Sequence, residues 1–108
     1  MKTHNEGDTL IVSEIKELDA ANGRAFQEAV SKAWSGELNH IEVDLSETIF
    51  LDSCGLGTLV ALRKLVGPRG GVVRLLNPAP HAQQLLELTR LYRVLEVVRR
   101  EDVPDSSS

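Results

Sequence analysis

Apolar and polar positions change period several times along the chain, and each change marks an element. From Thr9 to Lys16 (TLIVSEIK) branched apolar residues crowd together, the composition of a strand. Phe26, Ala29, Val30, Ala33 and Trp34 then recur at the spacing of an amphipathic helix. Asn22 or Asp19 is placed to cap its start, and Ser35-Gly36 closes it. At His40–Leu45 the period shortens again, with Ile41, Val43 and Leu45 on one face of a second strand. After Ser46-Glu47-Thr48, the apolar strand Ile49-Phe50-Leu51 stops abruptly at Asp52-Ser53.

From Cys54 the helical period returns. Leu56, Leu59, Val60, Leu62, Leu65 and Val66 form a broad buried stripe, with Arg63 and Lys64 outside it. Gly67-Pro68 ends that helix and Arg69-Gly70-Gly71 turns the chain. Val72–Leu76 reads as a third strand. Pro78 and Pro80 open a third helix, where proline fits the first turn, and the helix runs to about Arg90. Val94–Val98 returns as a last strand.

Strands and helices therefore alternate, which predicts an α/β fold: a mixed, mostly parallel sheet of about four to five strands with helices packed on it. The 108 residues fit one domain, and 42% hydrophobic content supplies an ordinary core. The domain is expected over residues 9–98. Residues 1–8, polar and poorly suited to a strand, and residues 99–108 are expected to be flexible ends. The single cysteine, Cys54, excludes an internal disulfide framework and suits a reducing compartment. The polar start (MKTHNEGD) lacks a signal-peptide pattern, and apolar runs such as Thr58–Leu62 are too short to span a bilayer. The expectation is a cytoplasmic protein without membrane insertion. A net charge of −4 argues against a nucleic-acid partner, which needs a basic face.

Candidate chemistry concentrates in Ile49–Leu59 (IFLDSCGLGTL), where a strand runs directly into a helix. Unsatisfied N–H groups and the helix dipole make that start partly positive. Ser53 has two readings here. It is read as the N-cap of the helix, a role worth about 1 kcal/mol, as an exposed hydroxyl that accepts a phosphate, or as each in a different state. A phosphoserine at a helix start is compatible with the fold, yet it adds roughly 1.5 to 2 negative charges beside Asp52. A partner docked there would be repelled; a loss of about 3 kcal/mol weakens binding more than a hundredfold.

The segment LDSCGLGTL, preceded by IEVDLS, resembles the signature of STAS domains of the anti-sigma factor antagonist family. Glu17-Leu18-Asp19-Ala20-Ala21-Asn22 is similar to the family's segment before the first helix, and the Gly-Gly turn and Leu-rich third helix also fall in place. The resemblance runs from about Thr9 to Val98 and implies a non-catalytic switch. An unphosphorylated member binds an anti-sigma factor that is also a serine kinase of the GHKL type. Phosphorylation breaks that complex, and a serine phosphatase restores it. Carried over, Ser53 is the phospho-acceptor, and Asp52, Ser53, Cys54, Gly55, Leu56 and Gly57 form the docking surface. Gly55 would let the partner's backbone approach, while Asp19 and Asp44 would shape loops. Cys54 stands where many relatives have a second small hydroxyl residue. The rival reading keeps the fold but makes the domain a structural subunit of a signalling assembly or a membrane transporter complex.

Other chemistries find less support. Cys54 reads as a small buried apolar residue before it reads as a redox sensor. A serine hydrolase needs a G-x-S-x-G elbow, and Leu51 stands two before Ser53. His4, His40 and His81 are too scattered for a triad or a metal site, and Gly67–Gly71 lacks the ending of a phosphate-binding loop. No metal, cofactor or catalytic residue is expected.

Overall fold

The computed structural model describes residues 1–98; the expected tail at 99–108 lies outside the described residues. In chain order the elements are β1 (Lys2–Glu6), β2 (Thr9–Ser13), β3 (Glu17–Leu18), α1 (Gly23–Ala33), β4 (His40–Asp44) and β5 (Phe50–Leu51). They continue with α2 (Ser53–Ala61), α3 (Arg63–Val66), β6 (Val73–Leu76), α4 (Pro80–Thr89) and β7 (Glu96–Val98).

The main sheet has the order β1-β2-β4-β6-β7. β1 and β2 form an antiparallel hairpin, and every other neighbouring pair is parallel. Parallel neighbours need a crossover. α1 supplies it between β2 and β4, α2 with α3 between β4 and β6, and α4 between β6 and β7. This is the mixed, mostly parallel sheet that the alternation predicts.

Burial alternates strictly along the inner strands. Leu10, Val12, Ile41, Val43, Val73 and Leu75 point into the core, while their chain neighbours on the other face stay partly exposed. Phe26 and Val30 of α1, Leu56 and Leu59 of α2, and Ala82 and Leu86 of α4 join the same buried cluster. The helices thus cover one face. Truncating any of its fully buried leucines to alanine costs about 2–5 kcal/mol. Across the open face Arg74 bridges three strands, donating to Glu42 at 2.6 Å and Glu96 at 3.1 Å. Partial burial pulls the Arg74 pKa down, but the two carboxylates more than offset it, so the value lies above the ordinary one.

Two expectations are corrected. Residues 1–8 are not outside the sheet: Lys2–Glu6 is its edge strand. All five residues are exposed, so no apolar alternation announces them. The available signal was the two-residue loop Gly7-Asp8, where Gly7 takes φ +62, as the first central residue of a II′ hairpin turn must. Second, the helix after Asp52 is not continuous. It tightens at Leu62, whose N–H is shared between the carbonyls of Leu59 and Val60, before α3 resumes. Arg63 and Lys64 are exposed, and Leu62 and Val66 are buried.

Candidate functional site

Beyond the carboxyl ends of β2 and β4, the chain builds a second, two-stranded sheet from β3 and β5. Buried Thr48 starts it: its hydroxyl donates to the Ile15 carbonyl at 2.6 Å, and the Ile49 N–H donates to Lys16 at 2.8 Å. In parallel register, Glu17 then faces Phe50 and Leu18 faces Leu51. Each buried leucine is followed by an aspartate, and each aspartate turns the chain into a helix.

In the first turn, the Asp19 carboxylate accepts the N–H groups of Ala21 (2.9 Å) and Asn22 (3.3 Å). Asn22 reaches back, accepting the Asp19 N–H at 2.9 Å and donating to the Glu17 carbonyl at 2.8 Å. Of the two capping candidates, Asn22 holds the cap position, though its side chain binds the turn and not the helix.

In the second turn the cap is Asp52. Its Oδ1 accepts the Gly55 N–H at 2.8 Å, and its carbonyl accepts the Leu56 N–H at 2.9 Å. The reading of Ser53 as N-cap is therefore overturned, because the carboxylate one residue earlier takes that position. Ser53 is the first residue of α2. It is exposed, and its hydroxyl has no hydrogen-bond partner among the described residues. The N–H groups of Ser53 and Cys54 precede the first intrahelical bond and so have no acceptor within the helix. A hydroxyl, two donors and the positive end of the dipole meet at one exposed point.

The six residues expected at a docking surface divide. Ser53, Cys54 and Gly57 are exposed and Asp52 is half-buried, whereas Gly55 is buried and Leu56 is only 1% exposed. The expectation that Gly55 admits a partner's backbone is corrected. A Cβ there would collide with the Leu18 carbonyl and crowd the Leu51 side chain at 3.0 Å, so its missing side chain serves an internal contact. Leu56 likewise points into the core. Cys54, read as buried, is exposed. Elsewhere Asp44 accepts the Ser46 N–H at 2.9 Å and holds the loop after β4.

Two residues that the sequence reading passed over join this surface. Ile49 is 72% and Phe50 is 48% exposed, immediately before the Asp52 turn. Alternation could have found Phe50: with Leu51 inward, its strand neighbour must face out. Beside them a groove of 740 Å³ opens between α1, β3 and the segments that precede β3 and β5, lined by Ile15, Lys16, Phe26, Glu47 and Ile49 among others.

The amino ends of the parallel strands are organised differently. The Asp8 carbonyl accepts the N–H groups of Asn39 and His40, and its carboxylate accepts the Asn39 side chain at 3.0 Å. That hydrogen bond is the main reason the Asp8 pKa lies below the ordinary carboxylate value. His40 Nδ1 accepts the Val72 N–H at 3.1 Å, which ties that ring nitrogen into the fold. Among the described residues, no cluster of three or more His, Cys, Asp and Glu could hold a metal ion, and no helix is long and apolar enough to cross a membrane.

The STAS domain family profile matches residues 1–103. An anti-sigma F factor antagonist of Paenibacillus polymyxa is 28% identical over 65 residues, covering 60% of this chain and 56% of that protein. The chain thus spans a little over half the length of that relative. A proposed anti-sigma factor antagonist from Thermotoga maritima superposes with a TM-score of 0.81 at 28% identity, over 90% of this chain and 84% of that one. The anti-sigma factor antagonist SpoIIAA in its unphosphorylated form gives 0.77 at 20% identity, covering 94% and 90%. The phosphorylated form of SpoIIAA, a Bacillus cell fate determinant, gives 0.69 at 20% identity, covering 94% and 93%. At that identity the likeness to SpoIIAA is one of fold.

Proposed function

The chain belongs to the STAS domain family, and from that premise we propose that it is a phosphorylation-controlled antagonist of an anti-sigma factor. Unphosphorylated, it captures a regulatory serine kinase of the GHKL type that doubles as the anti-sigma factor; phosphorylated on Ser53, it lets go. A serine phosphatase resets it. The single observation that carries this reading is the cap exchange at α2. Because Asp52 satisfies the helix start, the Ser53 hydroxyl is exposed and has no hydrogen-bond partner among the described residues.

The chemistry follows from the surroundings. The Ser53 oxygen attacks the terminal phosphorus of the partner's ATP, the bond to ADP breaks, and the hydroxyl proton passes to a base on the partner. The phosphate then sits over the N–H groups of Ser53 and Cys54, where the helix dipole tolerates it. For a docked partner the same group is an obstacle. It places a doubly charged, strongly hydrated anion beside Asp52 and the apolar Ile49–Phe50 shelf, and both repulsion and desolvation oppose contact. No internal rearrangement is required.

The test is capture from native extract by the wild type, Ser53→Ala and Ser53→Asp, with bound chains identified by mass spectrometry. We expect a GHKL-type kinase with the first two and a loss of more than about a hundredfold in affinity with the third. Equal capture of the same scaffold or transporter proteins by all three would assign the domain to the structural-subunit role instead.

A further inference from the structure

β1 is the outer strand of the main sheet, and among the described residues nothing pairs with its free edge. All five of its residues (Lys-Thr-His-Asn-Glu) are exposed. In an antiparallel pair, backbone groups of alternate residues turn toward and away from the partner strand. Counted from the closing pair Glu6–Thr9 of the two-residue loop, Glu6, His4 and Lys2 turn theirs toward β2. Thr3 and Asn5 therefore present their N–H and C=O groups outward.

We propose that this edge pairs with β1 of a second copy of the chain, antiparallel about a two-fold axis at His4. In that register Thr3 lies opposite Asn5 of the other copy, twice, so the four outward N–H groups meet four outward carbonyls. His4 lies opposite its own counterpart. Lys2 lies opposite Glu6 of the other copy, again twice, in the non-hydrogen-bonded positions where side chains come closest. The order of charge along the strand, positive at one end and negative at the other, is self-complementary only in this antiparallel arrangement. Charged edge strands commonly serve to repel pairing. A guard against self-association would carry charges of one sign; this edge carries opposite signs at matched distances from its centre.

The side-chain contacts that β1 makes now are weak competitors. Lys2 lies 3.4 Å from Glu14 and His4 lies 3.5 Å from Glu6, all with strongly exposed side chains. Pairing joins two five-stranded sheets into one continuous sheet. Ser53 lies on α2 and takes no part in it, so this inference stands independently of the switch. The contact is one short strand wide, which sets a weak dimer that forms only as concentration rises.

Sedimentation equilibrium on the wild type, Lys2→Glu, Glu6→Lys and the double swap Lys2→Glu/Glu6→Lys tests the pairing. Each single change sets like charges opposite one another twice and should weaken the dimer about tenfold; the double swap should bring it back to within about threefold of wild type. Amide exchange adds a positional readout, since the Thr3 and Asn5 amides should become protected as concentration rises. Unchanged Thr9–Ser13 chemical shifts certify that the hairpin is intact in each variant. A monomer at every concentration, a dimer indifferent to both single changes, or no recovery in an intact double swap would each overturn the proposal.

Discussion

The two turns that follow β3 and β5 are near copies of one another with different contents. Leu18-Asp19-Ala20-Ala21 and Leu51-Asp52-Ser53-Cys54 share a pattern: a buried leucine, a half-buried aspartate, then two exposed residues. Each leads to a buried glycine at a helix start, Gly23 in one and Gly55 in the other. The glycines also interlock the turns, since Gly55 packs on the Leu18 carbonyl and Gly23 on the Thr58 hydroxyl oxygen of α2. What differs is the exposed pair. The first turn offers two methyl groups and spends its polar atoms on itself, with Asp19 and Asn22 exchanging hydrogen bonds. The second offers a hydroxyl and a thiol, and a single carboxylate bond to Gly55 is enough to fix it. The two turns share a backbone course and differ in which side chains they leave exposed. In the second turn Asp52 takes over the capping and leaves the Ser53 side chain exposed.

The largest effect expected from probing this comparison is at Gly55. Gly55→Ala drives a Cβ into the Leu18 carbonyl, which is backbone and cannot swing away, so about 3 kcal/mol of stability is lost. Gly23→Ala meets only Thr58 Oγ1, at 2.7 Å, and that hydroxyl can leave its 3.1 Å bond to the Cys54 carbonyl. Its loss, about 1 kcal/mol, is partly offset by the better helix propensity of alanine. Urea unfolding of the two variants compares them directly; equal losses would show that the turns are not locked as described.

Next in size are the aspartates. Asp52→Ala should destabilise by about 1 kcal/mol through the lost cap. Asp52→Asn keeps an acceptor for the Gly55 N–H and should recover most of it. If thermal unfolding finds the two variants equal, the Asp52 carboxylate acts through its charge and not through the hydrogen bond.

The smallest effect concerns a third aspartate, Asp8, at the amino ends of the parallel strands. Its pKa is depressed below 3.8, first by the Asn39 hydrogen bond, so the carboxylate is favoured in the folded chain. The stability this adds is present in full above the unfolded value and is lost as the pH falls through the folded one. Asp8→Asn should therefore trail the wild type slightly at neutral pH and converge with it below pH 3.8. Denaturation midpoints measured at intervals from pH 7 to about pH 3 check the convergence. A constant gap across that range would mean that the carboxylate charge is not involved.

Features that depend on near neighbours along the chain were legible without the fold. The alternation at Ile41, Val43 and Leu45, the helical stripe through Phe26 and Val30, and the proline-opened α4 each record a face that must be buried, and together they dictate the sheet and its covering helices. The short segment Leu51–Leu56 was equally legible as a strand-to-helix corner bearing a serine. Which atoms of that corner are free depends on contacts between distant parts of the chain. Whether Asp52 or Ser53 caps α2 turns on backbone angles that both residue types can adopt. The inward placement of Gly55 depends on a carbonyl of Leu18, which lies on β3 and far away in the chain. Periodicity was also silent about β1, because a strand exposed on every residue is held by backbone hydrogen bonds to β2, which leave no apolar pattern in the side chains.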